Sequence, residues 1–169
     1  MIRRPPRSTR KESSAASDVY KRQGKAVFFN EVDARSMGRD TRGVKGIELE
    51  DGQKVISLMV PSPDDEILTV SENGFGKRTK LEDFPSYNRG GQGVIALKTS
   101  DRNGNMVSAV AVDENDGIML ISDKGTLIRT AISQIPTLGR NTQGVKVISP
   151  KDGEKLIEGV RIPPEEEEE

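Results

Sequence analysis

The sequence predicts an all-β fold: a propeller-like partial array of about three four-stranded blades with disordered ends. Three observations carry this. One phrase is written three times, as "GRDTRGV" at 38–44, "NRGGQGV" at 88–94 and "GRNTQGV" at 139–145. The glycines before the closing valines, Gly43, Gly93 and Gly144, recur at spacings of 50 and 51 residues, and Gly24, Gly74 and Gly125 each stand nineteen residues before them. Two landmarks sharing one period mark a tandem repeat. Second, the apolar runs are short, β-branched and punctuated by 17 glycines, which suits strands joined by tight turns. Third, 33% hydrophobic and 4% aromatic residues are too few for one large core.

Residues 1–23, "MIRRPPRSTRKESSAASDVYKRQ", carry seven basic and two acidic residues without periodicity. They resemble the conceptual translation of sequencing-adapter read-through, so a disordered, non-native leader is expected and set aside from the fold. The blade repeats are expected at 24–73, 74–124 and 125–162, the last partial or closing. In the second unit "GKRTKL" (76–81), "GVIAL" (93–97), "MVSAVAV" (106–112) and "GIMLIS" (117–122) read as its four strands. Val107, Ala109 and Ala111 alternate with Ser108, Val110 and Val112, small residues fit for closely stacked sheets. "DRNGN" and "DENDG" read as hairpin turns, with glycine supplying positive φ. Four strands in about 50 residues is the size of a propeller blade. Glycine density and β-branched content argue against a helical solenoid. Residues 163–169, "PPEEEEE", are an acidic tail whose charges cannot bury apolar surface.

The composition removes whole classes of chemistry. With no histidine and no cysteine the chain lacks the usual zinc ligands, the usual neutral-pH base and any disulfide. No apolar stretch approaches the roughly 18 residues of a membrane span. "GFGKRT" (74–79) imitates a phosphate-binding loop, but Ser71 replaces its first glycine and Arg78 its final Ser/Thr, and a strand follows where a helix is needed. "DENDG" (113–117) lacks the first calcium ligand, since Val112 stands there, and "PDDE" (63–66) reads as an acidic turn. No catalytic residue and no metal site is expected. A hydrolase on a propeller scaffold would need paired carboxylates converging on a channel.

Charge is segregated within each repeat. The leading halves, 24–47, 74–98 and 125–148, carry +2, +3 and +3, while the trailing pieces, 48–73, 99–124 and 149–164, carry −6, −3 and 0. In a blade array such halves return in register, so a basic stripe able to hold a polyanion is expected. The expected phosphate contacts are Arg39, Arg42, Lys45, Lys77, Arg78, Lys80, Arg89, Arg129, Arg140 and Lys146. In "RGGQG" (89–93) exposed amides beside Arg89 are a second candidate phosphate cradle, a plain tight turn the alternative. Gly43, Gly93 and Gly144 are assigned to backbone geometry. A protein-interaction propeller without a nucleic-acid role is the rival class; it predicts salt-insensitive binding.

"GRDTRGVKGI", "GFGKRT", "RGGQGVIALK", "GTLIRT" and "GRNTQGV" together, over about 24–161, resemble the C-terminal domain of DNA gyrase A. The corresponding chain of topoisomerase IV has a similar but more degenerate domain; "GRNTQGV" near the end leans toward gyrase. The resemblance implies a β-pinwheel, a propeller-like disc with strand exchange between neighbouring blades, that wraps double-stranded DNA on a basic rim. It implies a non-catalytic, bacterial, cytoplasmic and nucleoid-associated part of a type II topoisomerase, whose partners are the rest of gyrase A and, through it, gyrase B. ATP and magnesium would act elsewhere in that enzyme, leaving this piece no cofactor and no membrane. The cutting tyrosine belongs to another domain and is neither Tyr20 nor Tyr87. Three departures stand out. The family has six blades and this chain matches the last three. Its basic box, Gln-Arg/Lys-Arg-Gly-Gly-Arg/Lys-Gly, is missing, with "YNRGGQG" (87–93) the nearest echo and Asn88 and Gln92 at its basic positions. Phe28 stands where the other units have Arg78 and Arg129.

Overall fold

The computed structural model describes residues 24–164 in full and 16–21 as backbone. Four strands come first: β1 (Ala16–Lys21), β2 (Lys25–Asn30), β3 (Val55–Met59) and β4 (Glu66–Ser71). β5 (Phe75–Lys80), β6 (Val94–Ile95), β7 (Met106–Val112) and β8 (Gly117–Ser122) follow. β9 (Leu127–Ala131), β10 (Val145–Lys146) and β11 (Leu156–Ile162) complete the set. They form three antiparallel sheets, ordered β3-β1-β2-β6, β10-β5-β4-β7 and β11-β8-β9. The all-β expectation holds, with two four-stranded blades and one of three strands.

Two expectations change. Ala16–Lys21, set aside with the leader, forms β1 and pairs with both β2 and β3. It stands 50 residues before β4, and β4 stands 51 before β8, so the repeat places a central strand there. A blade without it would leave β2 and β3 with no partner between them. The rest of the leader and residues 165–169 lie outside the described residues. The second change concerns blade boundaries. The four strands read from the second unit do not share a sheet: β5 and β7 belong to the second blade, β6 to the first and β8 to the third. The second and third units each lend their short Gly-Val strand to the blade before.

Strand character follows from position. β4 lies between β5 and β7, and the second sheet is stacked between the other two, so Ile67, Leu68, Thr69, Val70 and Ser71 are all buried. One core, with Ile67, Ala96, Leu97, Met106 and Ala109, fills the space between the first two blades; another, with Leu68, Val70, Val112, Ile118 and Leu120, fills that between the last two. β7 supplies both, which explains its small alternating residues. The alternation reverses at Val107, an extra residue opposite Val70 and Ser71. Ile56 and Ile157 are the same bulge in β3 and β11, one period before and after. Adjacent blades are also tied by equivalent hydroxyls: Ser57 Oγ donates to Ala109 O at 2.7 Å and Ser108 Oγ to Gly159 O at 3.1 Å.

The exchanged strands need glycine. Gly144 has φ +77°, and a Cβ there would stand 2.7 Å from Gly76 O; at Gly93, φ +79°, it would stand 2.5 Å from Ala26 O. Left-handed geometry costs an L-residue roughly 1–2 kcal/mol, and the main-chain collision adds to it. Gly144→Ala should therefore lose about 2–3 kcal/mol of unfolding free energy in urea titrations. A loss below about 0.5 kcal/mol would mean that β10 is not seated on β5.

Candidate nucleic-acid interface

The repeated phrase builds a loop that crosses from one blade to the previous one, and its arginine is the tether. Arg89 Nε donates to Asp33 O at 2.7 Å and Nη1 to Lys45 O at 3.2 Å. Arg140 Nε donates to Asp83 O at 3.2 Å and Nη1 to Ile95 O at 2.9 Å. Asp33 and Asp83 are one period apart, as are Lys45 and Ile95, so one staple is made twice. Guanidinium suits the task because its planar fork meets two fixed acceptors with little further ordering. Both arginines were expected to hold phosphate; each has two donors committed to main-chain carbonyls instead. In "RGGQG" the Gly90 amide donates to Gly46 O at 2.6 Å, so this loop serves blade contact too.

Lys77 and Arg78 are corrected more sharply. Lys77 is fully buried; its Nζ donates to Gly139 O at 2.6 Å and to Arg140 O. Burial, reinforced by the Arg140 charge and partly opposed by Asp83, lowers its pKa to about 8. Arg78 is buried, pairs with Glu66 at 2.9 Å and donates from Nε to Ile135 O at 2.6 Å. Lys77 is withheld from solvent, and Arg78, which borders an acidic groove, is held there by Glu66 and Ile135. Their positions in the strand β5, covered by the next unit's loop, turn them inward.

The remaining expected contacts divide by location. Arg39, Arg42, Lys45 and Lys146 are exposed on the exchange loops. Lys80 is exposed but lines a groove of about 480 Å³ with Asp64, Asp65, Glu82 and Glu114, and pairs with Glu82 at 3.5 Å. That groove is acidic, so Lys80 leaves the stripe. Arg129 is exposed on β9, one period after Arg78. Two further exposed cations, outside the expected set, lie beside the exchange loops. Lys98 follows β6, and its amide donates to Thr142 O at 2.9 Å, next to the following exchange loop. Arg102 was counted with an acidic half, yet its Cζ lies 4.9 Å from the Phe75 ring centre and Lys146 Nζ lies 5.9 Å from it. No pattern along the chain joins Arg102 to Lys146; the shared ring does. Among the described residues, no group of three Asp or Glu side chains is placed to hold a metal ion.

The depressed Lys77 pKa has a signed consequence. The unfolded chain binds this proton up to the ordinary lysine value of 10.5 and the folded chain only to about 8. Burying the charge is thus a full penalty below about pH 8, relieved as pH rises toward 10.5. The unfolding free energy of wild type relative to Lys77→Met should rise between pH 7 and 10, by up to about 3 kcal/mol. Parallel stability curves for the two proteins would show that Lys77 does not titrate there.

Comparison with known proteins agrees with this architecture. The family model described as the DNA gyrase C-terminal domain, beta-propeller, matches residues 22–62, 65–113 and 118–161. DNA gyrase A of Pseudomonas aeruginosa is 50% identical over 139 residues, which is 82% of this chain and 15% of that protein. DNA gyrase A of Escherichia coli K12 is 48% identical over the same length, 82% of this chain and 16% of that protein. A solved DNA gyrase A C-terminal domain superposes with a TM-score of 0.80 at 28% identity, covering 89% of this chain and 51% of that one. The C-terminal domain of DNA topoisomerase IV shares the fold, with a TM-score of 0.82 at 22% identity over 90% of this chain and 48% of that one. A repeat matched in all three units, with strands exchanged between blades, places the chain in the DNA gyrase C-terminal domain family.

Proposed function

We propose that the chain binds duplex DNA through its phosphates, without reading bases, as part of gyrase A. The observation that carries the reading is the recurrence of exposed cations on one structural element. Arg39, Arg42 and Lys45 lie on the first exchange loop, Lys98 beside the second and Lys146 on the third, with Arg102 next to Lys146. Among the described residues, Lys45 alone of these pairs with a carboxylate, Glu48 at 3.7 Å, in an exposed contact that water and salt weaken. Cations repeated at blade spacing suit a stiff polyanion laid across consecutive blades, and contacts of this kind leave preference to the ease of DNA bending. In the whole enzyme the wrapped DNA would serve ATP-dependent negative supercoiling together with gyrase B in the bacterial cytoplasm. The acidic tail at 165–169 would compete for the same cations.

The test is anisotropy of a labelled duplex of arbitrary sequence across a salt series, using the full chain and residues 16–169. The shorter form removes Arg3, Arg4, Arg7, Arg10 and Lys11, whose charge alone attracts DNA. A log–log salt slope matching roughly 3–6 released counterions is expected. Arg42→Gln or Lys146→Gln should weaken binding for every sequence and lower that slope by about one. Lys54→Gln, in an acidic half, should change neither. Equal losses at Lys54 and Lys146 would refute a localised interface, and absence of salt-dependent binding would refute DNA binding by this chain.

A further inference from the structure

The two exchanged strands meet different chemistry where they are seated. Where β6 pairs with β2, the cation Lys25 lies opposite the apolar Ile95; where β10 pairs with β5, the cation Lys146 lies opposite Phe75. Each seat holds one cation and one apolar side chain, with the strands' parts exchanged. Phe75 is 6% exposed, so packing fixes its ring. Lys146 Nζ lies 5.9 Å from the ring centre, and a second cation arrives from elsewhere, Arg102 Cζ at 4.9 Å. Both are within the range at which an aromatic ring attracts a cation.

Arg102 stands on a turn that the other units lack. Val55, Met106 and Leu156 hold one register position, opposite Lys21, Ser71 and Ser122. Met106 follows Gly93 by 13 residues, whereas Val55 follows Gly43 and Leu156 follows Gly144 by 12. The shorter turns close three residues apart, Gln53 N on Glu50 O at 3.0 Å and Glu154 N on Lys151 O at 2.9 Å. In the middle unit the extra residue widens the turn, and Gly104 N reaches Ser100 O at 2.8 Å, four residues back. Asn103 fills it. Fully buried, its Oδ1 accepts from Ser100 N at 2.7 Å and Ser100 Oγ at 3.1 Å, and its Nδ2 donates to Lys98 O at 2.9 Å and Gln143 O at 3.2 Å. That uses every bonding position of the amide. From the neighbouring hairpin Asn73 Nδ2 donates to Asp101 O at 3.3 Å and Arg102 O at 3.1 Å.

The main chain at Arg102 is therefore held on both sides, and its guanidinium is held by the ring. Stacking occupies the face of that group and leaves its N–H edge. Arg78, Arg89 and Arg140 have committed donors. Among the described residues, no acceptor takes those of Arg102, and neither Arg102 nor Lys146 pairs with a carboxylate.

We infer that Arg102 and Lys146 form one site over Phe75 that clamps a single phosphate group. The inference rests on the DNA-binding reading, in which that group is a phosphodiester of the duplex. Two like charges drawn to one ring repel each other, and an anion between them removes the repulsion. The guanidinium fork meets two phosphate oxygens and the ammonium a third. Asn103 and the ring have already ordered the arginine, so binding costs little further ordering. The middle unit has Gln92 and Ile95 where the first has Arg42 and Lys45, and its longer turn returns a cation to the unit.

Two measurements on the full chain test the site. In the first, NMR follows Arg102 Nε–H and the Phe75 ring protons as inorganic phosphate is added, against sodium chloride of equal ionic strength. Both signals should shift on one saturating curve with phosphate and stay with chloride, and Lys146→Gln should remove the saturation. The second is duplex anisotropy over the salt series. Arg102→Gln should weaken binding about tenfold, and Arg102→Lys should weaken it with the salt slope unchanged. Combining Arg102→Gln with Lys146→Gln should lose scarcely more than either alone and lower the slope by about one; combining Arg42→Gln with Lys146→Gln should lower it by about two. Both clamp residues are exposed, so unfolding midpoints should not move. Losses at Arg102 and Lys146 that multiply, a slope lowered by two for that pair, or phosphate shifts equal to those with chloride would each overturn the shared site. Saturating phosphate shifts without salt-dependent duplex binding would support the site and overturn the DNA-binding reading instead.

Discussion

Two amides converging on one glycine carbonyl hold this molecule together. At Gly24 and again at Gly74, the carbonyl at the start of a blade's second strand accepts consecutive N–H groups from the next unit. Everything nearby is arranged around that contact. The glycine must be left-handed to end the hairpin and aim the oxygen outward. The Gly-Val strand must lie flat against the blade, which requires a second glycine without a side chain. The arginine four residues before that second glycine, Arg89 or Arg140, then locks the loop from the far side. Because the first two blades are each completed by the unit that follows, the blades are not independent modules. Stability becomes a property of neighbouring pairs, as in other repeat arrays.

This arrangement redistributes positive charge in a way that net charge does not reveal. Every leading half of the repeat is basic, but the cations within it have two different tasks. Lys77, Arg78, Arg89 and Arg140 bond main-chain carbonyls across the blade boundary, and Arg78 also pairs with Glu66 of its own blade. Fixed carbonyl dipoles replace water around them, a substitution that works for guanidinium and raises the cost of charge on the buried lysine. The cations left for solvent stand on the loops that pass from blade to blade. Structural and solvent-facing positive charge are therefore layered, the first ordering the loops and the second lying on them.

The middle blade shows why equivalence must be read in space. Its exchange loop has Gln92 where the first has Arg42 and Ile95 where the first and third have lysine, so a stripe counted from the phrase alone is broken there. Lys98 and Arg102 lie close to the gap, the former against Thr142 and the latter across Phe75 from Lys146. Conversely, Lys80 belongs to a basic half by count and to an acidic groove by position.

The period of the glycines, the short β-branched runs and the basic leading halves determined the all-β class, the number of units, most strand positions and the family. These are local properties, and each is written within a few residues. The tertiary structure decided what depends on separation along the chain. It assigned Val94–Ile95 to a sheet whose other strands precede it by tens of residues, and it extended the first blade to Ala16–Lys21. It also decided which cations are free. Arg89 and Arg140, which share one place in the repeated phrase, are each held by two carbonyls of the unit before, while Lys98 and Arg102 stay exposed. A sequence motif fixes the reach and chemistry of such a side chain, while its partner is supplied by packing.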